Sequence, residues 1–216
     1  MTATLPAPRE LVGSAVRLTP MLASDIPDLY QALARHEVFV GGFGGGIAAL
    51  PTNLDEFRVF AASYYFDGDA ASLAWTIRSS TRTGKARVVG ATWMGDFDLE
   101  HESAHLGATA YCPEAWGTIV NPETKLLTLG LAFDSGFNRV RIQADSVNAR
   151  SRSAIERLGA EFEGVLRRDQ KRADGSWRDT AVYSILADEW PAAKARLEQR
   201  IAAFARGAAG ADQRRQ

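Results

Sequence analysis

The chain has little cysteine and no long hydrophobic run. Cys112 is its only cysteine among 216 residues, so an intrachain disulfide cannot form, which excludes a disulfide-stapled secreted scaffold. No apolar stretch is long enough to cross a bilayer, and residues 1–9 lack the basic start and apolar run of a secretory signal. These absences predict a cytoplasmic protein without a membrane partner.

A surplus of positive charge is also absent. The chain has 25 Lys and Arg residues against 26 Asp and Glu residues, a formal net charge of −1. Binding to a nucleic-acid backbone needs a basic surplus, so nucleic acid is excluded as the main partner. Residues 139–172 are locally basic, with nine Arg or Lys and five Asp or Glu. Such a segment is typical either of a solvated surface or of a phosphate-binding one.

The apolar periodicity predicts a single domain. Residues 1–12 are expected to be a flexible N-terminus, residues 13–206 the domain, and residues 207–216 a disordered tail. The predicted order is one strand, two helices and three strands, then helix, strand, helix, two strands and a helix that ends near Arg206. The simplest assembly is an α+β fold, a mostly antiparallel sheet with one strand–helix–strand crossover in its centre.

Turn and cap residues mark the ends of these elements. Helix N-caps are predicted at Ser24, at Asn53 or Asp55, at Asn121 and at Asn148, hairpin turns at residues 83–85 and 173–176, and a left-handed C-cap at Gly159. The glycine-rich residues 41–46 are either a plain connector or a lid over a substrate pocket.

Two predicted helix openings point to a phosphate ligand. Asn121 with Pro122 opens one helix, and Asn148 opens the next, which carries Arg150 and Arg152. Helix openings present unpaired N–H groups and the positive end of the helix dipole. Two of them side by side indicate a ligand with more than one phosphate. A P-loop phosphotransferase is excluded because no Gly-Lys-Ser or Gly-Lys-Thr follows a strand.

The order and spacing of several short motifs carry a family resemblance. They are Trp116-Gly117, Ala132-Phe133, Asn138-Arg139-Val140, Asn148 to Ser151, Ala154 to Ala160, Glu163 to Arg167, Gly175 with Asp179, Tyr183-Ser184 and Glu189-Trp190. With these motifs the chain resembles the GNAT superfamily of acyl-CoA-dependent N-acyltransferases, and within it the RimJ/RimL-like branch, over roughly Ser14 to Trp190. The resemblance implies a central sheet that is splayed in the middle and flanked by helices.

The resemblance also implies a reaction and its partners. The co-substrate would be an acyl-CoA, with acetyl-CoA as the first candidate, and the reaction would use no metal. A primary amine of a peptide or protein N-terminus, or of a small molecule, would attack the thioester directly. A homodimer is left open. The alternative is a non-catalytic acyl-CoA-binding sensor, which the unusual loop favours: where the family has Arg or Gln, then Gly, then Gly or Ala, this chain has Trp116, Ile119 and Asn121.

By resemblance, site residues can be assigned to parts of the co-substrate. The pantetheine arm would pair with the backbone at Tyr111 and Cys112. The residues expected around the diphosphate are Gly117, Thr118, Ile119, Val120, Asn121, Thr124 and Lys125. Asn148 would hold the pantetheine amide, Ser151 would serve the leaving thiolate, and Arg150 and Arg152 would bind the 3′-phosphate. Asn148 and Ser151 are equally explained as ordinary residues of a helix start, and Lys125 as a solvated lysine.

The acceptor side is less well defined by the sequence. The general base is left unassigned among His105, Asp96, Asp98, Glu163 and a water relay. Backbone N–H groups near residues 109–111 suit the oxyanion. The acceptor pocket is expected between the early helices, the glycine-rich loop and the hairpin at Gly175. Its aromatic candidates are Phe39, Phe43, Tyr64, Tyr65 and Trp93, which are equally typical of a core.

Overall fold

The structure, a computed structural model, describes residues 2–66, 71–80 and 86–213. The strands of this part of the chain are β1 (Leu11–Val12), β2 (Val16–Pro20), β3 (Leu73–Ser80), β4 (Ala86–Asp98), β5 (Ser103–Tyr111), β6 (Arg139–Asp145), β7 (Glu161–Lys171) and β8 (Trp177–Leu186). Its α-helices are α1 (Ile26–Leu33), α2 (His36–Phe39), α3 (Leu54–Tyr65), α4 (Val120–Asp134), α5 (Ala149–Glu156) and α6 (Trp190–Gln213). The hairpin turn predicted at residues 83–85 lies outside the described residues.

The strands form one sheet in the order β1-β2-β3-β4-β5-β6-β8-β7. Every neighbouring pair is antiparallel except β5 and β6, which are parallel and are joined by α4. This arrangement confirms the predicted α+β class and the crossover in its centre. A second crossover was not predicted: β6 and β7 are parallel, lie on either side of β8 and are joined by α5. The two-residue β1 was not predicted, because so short a strand leaves no periodicity to detect.

Helix α4 is buried on most sides, as its apolar sequence predicts. Leu129 and Ala132 are completely buried, and the Phe133 ring stacks on Trp190 of α6 with ring centroids 5.1 Å apart. Because α4 is packed between the sheet and α6, its N-terminal end is held in a fixed position beside the end of β5.

A buried carboxylate ties the first turn of α4 to the turn between β1 and β2. Glu123 is 4% exposed, and its two oxygens accept hydrogen bonds from the backbone N–H groups of Ser14, Ala15 and Val16 and from the Ser14 hydroxyl, at 2.6 to 2.8 Å. These charge-assisted bonds satisfy three backbone donors at once.

Glu123→Gln should lower the free energy of unfolding by about 1–3 kcal/mol, because an amide group would turn a donor toward other donors. Urea titration of both proteins measures the difference. Glu198→Gln, at an exposed position on α6, is the matched control and should change little. An unchanged denaturation midpoint for Glu123→Gln would contradict the expected anchoring role.

Both ends of the described chain take part in the fold. Near the N-terminus, Ala3 is buried, the Thr4 N–H donates to the Ser135 carbonyl at 2.9 Å, and the Arg9 carbonyl accepts from Trp75 Nε1 at 2.9 Å. These bonds join residues far apart in sequence, so no local pattern reveals them. At the other end α6 continues to Gln213, past the predicted end near Arg206, in keeping with the helix propensity of its alanines.

The helix starts agree only in part with the predicted caps. Asn53 caps α3 by accepting from the Glu56 N–H at 2.9 Å, which confirms that prediction. Ser24, however, lies inside a short 3₁₀ turn, Ala23–Asp25, and α1 begins after Asp25. Asp25 is buried and binds the Leu22 N–H and Thr76 Oγ1. Asp25 therefore stands at the start of α1 without capping it through its side chain, and the N-cap prediction for Ser24 is wrong.

Candidate functional site

The centre of the sheet opens where β5 and β6 separate. The two strands pair only from Ser103 to His105 and from Arg139 to Arg141. Just beyond, β5 bulges: Ala110 lies opposite Ala91 of β4, but Gly107 already lies opposite Trp93, and Ala108 takes a left-handed conformation with φ +45°. The Tyr65 hydroxyl holds this bulge by donating to the Ala108 carbonyl at 3.1 Å. The splay implied by the resemblance is therefore present.

Two cavities meet at this opening. The helix-side cavity, about 390 Å³, lies against β5, the openings of α4 and α5, and the end of α6. The loop-side cavity, about 380 Å³, lies against the glycine-rich loop, β4 and the β7–β8 hairpin. Residues common to both linings are Phe43, Gly107, Ala108, Thr109, Gln143, Asn148 and Ser151. Two ligands that enter from opposite faces would thus meet beside the bulge.

Most of the predicted co-substrate residues line the helix-side cavity. They are Tyr111, Gly117, Thr118, Asn121, Lys125, Asn148, Arg150 and Ser151. Cys112, Ile119, Val120, Thr124 and Arg152 are not part of this lining. Cys112 instead uses its own N–H for the Val89 carbonyl and its carbonyl for the Ala115 N–H. The predicted pairing of an extended ligand with Cys112 is therefore not supported.

Arg152 points to a different part of the molecule. Its Nε donates to the Tyr183 hydroxyl of β8 at 2.9 Å, and this hydrogen bond raises the pKa of Arg152. A second bond reaches the Ser146 carbonyl at 3.3 Å. Because these contacts commit the guanidinium to β8 and the end of β6, the structure does not support the 3′-phosphate role predicted for Arg152.

The α4 opening is built differently from the predicted one. The helix begins at Val120, and Asn121 lies inside it, so Asn121 is not the N-cap. Its Oδ1 accepts from the Tyr111 hydroxyl at 3.0 Å. The Thr118 hydroxyl accepts the Val120 N–H at 3.3 Å and donates to the Ala115 carbonyl at 2.7 Å. The Val120 N–H is therefore engaged, and Pro122 has no N–H. The loop thus keeps fewer free backbone N–H donors than predicted.

The α5 opening matches its predicted form. Asn148 Oδ1 accepts the Ser151 N–H at 3.0 Å, so Asn148 is the N-cap. Ser151 follows in the first turn, and both residues line both cavities. Because both residues lie where the two cavities meet, their position is compatible with the predicted roles beside a reacting group.

A cation–ring pair lies between the two openings. Arg150 of α5 sits over the Trp116 ring, with Cζ 3.5 Å from the ring centroid, and Trp116 Nε1 donates to the Tyr111 carbonyl at 3.0 Å. Trp116 occupies the loop position where the family has Arg or Gln, and the Arg150 guanidinium of α5 lies over its ring. Arg200 and Phe204 of α6 complete the wall. Sequence analysis missed these two because nothing local links the last helix to the site.

Lys125 lies at the bulge rather than at the helix opening. Its Nζ donates to Thr109 Oγ1 at 2.8 Å, and Thr109 Oγ1 lies 2.7 Å from Thr92 Oγ1. Lys125 is 5% exposed, and this burial lowers its pKa to about 7. Neither predicted interpretation fits this position: the amine is not solvated, and it sits beside the passage through the sheet.

On the floor of the loop-side cavity, each of two aromatic side chains lies opposite a glycine of the neighbouring strand. Trp93 pairs with Gly107, and Gly95 pairs with His105. A Cβ on Gly107 would lie 2.9 Å from His105 Nε2, and one on Gly95 would collide with the Trp93 ring. The two rings meet edge to face with centroids 5.6 Å apart. The glycines therefore make room for both rings to lie along their strands.

His105 belongs to a charged cluster in this cavity. Its Nδ1 lies 3.1 Å from Asp96 Oδ2, and Arg141 Nη2 lies 2.6 Å from the same oxygen. Burial lowers the pKa of His105, while the hydrogen bond from His105 lowers the pKa of Asp96. His105 Nε2 is buried and has no hydrogen-bond partner within the described structure.

The other two base candidates lie elsewhere. Asp98 binds His101 at the β4–β5 turn, through the backbone N–H and Nδ1. Glu163 of β7 binds Arg139 and the Ser184 hydroxyl. Neither carboxylate lines the passage, so of the four candidates only His105 and Asp96 are brought to the site.

The remaining walls of the loop-side cavity come from the glycine-rich loop and the hairpin. Gly42 and Gly44 have φ of +92° and +62°, and a Cβ on either would press on Asp145 or Phe60. Ala173 of the hairpin donates its N–H to the Gly45 carbonyl at 3.2 Å. Of the aromatic candidates, Phe43, Tyr64 and Trp93 line the cavity, whereas Phe39 and Tyr65 are core residues.

Residues 15–161 match the sequence-family model of the GNAT acetyltransferase domain. Because the match covers more than half of the chain, the protein belongs to the GNAT acetyltransferase family, and the predicted class, an N-acetyltransferase, is confirmed. Among curated proteins none matches the chain significantly.

Several solved structures are similar to this one. A candidate acetyltransferase from T. thermophilus is 32% identical, with a TM-score of 0.76 over 90% of this chain and 97% of that chain. A GCN5-related N-acetyltransferase from Brucella melitensis shares the fold at 23% identity, with a TM-score of 0.81 over 93% of this chain and 88% of that chain. Mycobacterium smegmatis RimJ, in complex with CoA-disulfide, shares the fold at 19% identity, with a TM-score of 0.68 over 86% of this chain and 88% of that chain.

In the part of the chain that the structure describes, no helix is both long and apolar enough to cross a membrane. Nor do the described His, Cys, Asp and Glu residues form a group of three or more that could hold a metal ion.

Proposed function

We propose that this protein transfers an acyl group, acetyl first of all, from acyl-CoA to a primary amine of a peptide, a protein N-terminus or a small molecule. The observation that carries the proposal is the passage through the sheet. Helix openings and a cation lie on one side of it, and a histidine–carboxylate pair lies on the other.

The helix-side cavity has the features that coenzyme A needs. Beyond His105, β5 has no described partner strand on its β6 side, so an extended pantetheine arm can add to it as a strand would. The loop at Gly117, where φ is +70° and the space around the residue is open, and the start of α5 suit the diphosphate. Arg150 supplies a positive charge between the two openings.

The loop-side cavity has the features that the amine needs. His105 Nδ1–H donates to Asp96, so the Nε2 lone pair is left to accept a proton. The low pKa of the buried imidazole keeps it neutral near pH 7, which is the form a base must have. Nε2 is not yet exposed to solvent, so a small shift of the ring toward the cavity must accompany amine binding.

The chemical step follows from this placement. The amine nitrogen attacks the thioester carbonyl; the C–N bond forms and the carbonyl becomes an oxyanion facing the N–H groups of the bulge. The amine's proton passes to His105 Nε2. The oxyanion then returns to a carbonyl as the C–S bond breaks. The thiolate takes a proton from the Ser151 hydroxyl, which regains one from solvent, and His105 releases the amine's proton to solvent. No covalent intermediate on the protein is needed, so Cys112, whose pKa is raised by burial, takes no part.

Ser151→Ala should lower kcat by about tenfold to a hundredfold and change the Kd for CoA less than threefold, since Ser151 would act on the leaving thiolate only. Calorimetry with CoA and thiol release from acetyl-CoA over a panel of amines measure the two quantities. Ser153→Ala, one position past the first turn of α5, is the control. An unchanged kcat would remove Ser151 from the mechanism.

The same measurements test the proposed function itself. Saturable CoA binding together with amine-dependent thiol release supports it. CoA binding without turnover on any amine would favour the sensor, and no binding at all would overturn both.

A further inference from the structure

Lys125 is a buried cation without a described counter-ion. Its Nζ has one hydrogen-bond partner, the Thr109 hydroxyl, and within the described chain it forms no ion pair. Glu123, two positions earlier, is also buried, but its carboxylate is engaged by residues 14–16. The positive charge of Lys125 is therefore left uncompensated.

The position of this cation separates it from the helix openings. Thr109 lies in the β5 bulge and lines both cavities, whereas Lys125 lines the helix-side cavity only. Thr109 is held in turn by Thr92, which is completely buried. The three side chains form a polar cluster on the co-substrate side of the passage, next to the place where the thioester would react.

A buried ammonium is stabilised by an anion that arrives with a ligand. An acyl-CoA can offer two such anions, the diphosphate and a carboxylate at the far end of the acyl chain. The diphosphate suits the openings of α4 and α5, where Gly117 and Arg150 lie. The Lys125 amine is bonded to Thr109 at the bulge instead, which favours the acyl end.

We propose that Lys125, Thr109 and Thr92 form a subsite for an acyl chain that ends in a carboxylate, so that an acyl-CoA of the succinyl or malonyl class is a better donor than an uncharged acyl-CoA of equal chain length. The carboxylate pairs with the Lys125 ammonium. Thr109 Oγ1 holds that ammonium in place by accepting from it, and is itself fixed by donating to the Gly107 carbonyl at 3.2 Å and by lying 2.7 Å from Thr92 Oγ1. This inference rests on the proposed function, because it requires acyl-CoA in the helix-side cavity. The bonds made and broken are those of the proposed transfer, and the product amide carries a free carboxylate.

The test compares donors of equal chain length. Succinyl-CoA and butyryl-CoA differ by the terminal carboxylate, and kcat/KM with one amine is measured for each. We expect succinyl-CoA to be favoured at least tenfold, and Lys125→Met to reduce this ratio to about one or below. Lys194→Met, at an exposed position on α6, should keep the wild-type ratio.

Binding of CoA itself distinguishes the two anions. The Kd for CoA should change less than threefold in Lys125→Met; a loss of CoA affinity above tenfold would mean that Lys125 binds the diphosphate and would overturn the subsite. Equal rates with succinyl-CoA and butyryl-CoA would overturn it while leaving the transferase activity intact. A mass increase at Lys125 after incubation with acyl-CoA alone would also overturn it, because the amine would then be an acceptor.

Discussion

His105→Gln should lower kcat by about a hundredfold to a thousandfold with little change in CoA affinity. Glutamine keeps a hydrogen bond to Asp96 but has no nitrogen that can take a proton at neutral pH. Proton removal by a positioned base contributes about 10²- to 10⁴-fold to the rates of such enzymes. His105 lies on the loop-side cavity and not on the helix-side cavity, so the loss should fall on the chemical step.

The pH profile gives a second readout for His105. Burial lowers its pKa below the ordinary value of 6.5, so the rate should fall as the pH drops through that lowered pKa, where the imidazole becomes protonated. His105→Gln should remove this acidic limb. Asp96→Asn should lower kcat about tenfold, since Asp96 holds the Nδ1–H tautomer in place.

His101 provides a matched control for His105. It also pairs with an aspartate, Asp98, at 2.8 Å, but it is exposed at the β4–β5 turn and lines neither cavity. His101→Gln should leave kcat and the pH profile unchanged. If His105→Gln behaved like His101→Gln, a water relay without His105 would be the better mechanism.

Lys125→Met should stabilise the protein, by about 2–4 kcal/mol at pH 6.5. The pKa of Lys125 falls from 10.5 to about 7 on folding because burial disfavours its charged form. Below about pH 7 both folded and unfolded chains carry the proton, and the folded chain bears the full cost of the buried charge. Methionine fills nearly the same volume without that cost.

The advantage of methionine should depend on pH in a defined window. Between about pH 7 and 10.5 the unfolded chain binds more protons at Lys125 than the folded chain does, so the stability of the wild-type protein rises with pH there. The difference between Lys125→Met and wild type should therefore be largest below pH 7 and should shrink steadily up to pH 10.5.

Chemical unfolding in urea at pH 6.5, 8 and 9.5 measures this difference. Lys194→Met is again the control and should shift stability little at every pH. A destabilised Lys125→Met, or a difference that does not change with pH, would show that Lys125 is paired or solvated in the folded protein. Stabilisation with altered donor selectivity would instead mark Lys125 as a residue kept for function.

Much of this fold follows from local rules that the sequence displays. Asn53 and Asn148 cap their helices, Gly159 adopts φ +91° after α5, and Gly175 adopts φ +83° in the β7–β8 hairpin, all as predicted. Each outcome depends on a few neighbouring residues, because side-chain caps and left-handed turns are satisfied within one turn of chain. The order of motifs similarly identified the family without knowledge of how the strands pair.

Tertiary packing decided what the site residues do. The Asn121 amide could cap α4, but its Oδ1 instead accepts a hydrogen bond from the Tyr111 hydroxyl of β5 at 3.0 Å. The amine of Lys125 could reach solvent, but α4 is packed so that this side chain points at the β5 bulge.

The base and the far wall of the site depended on packing in the same way. The bulge at Ala108 changes the register between β4 and β5, and across this hairpin the structure brings His105 to Asp96. Arg200 and Phe204 reach the helix-side cavity only because α6 packs along α4. By itself the sequence determined the elements, their caps and the family. The direction in which each site side chain points was settled by contacts between segments far apart in the chain, which no local pattern encodes.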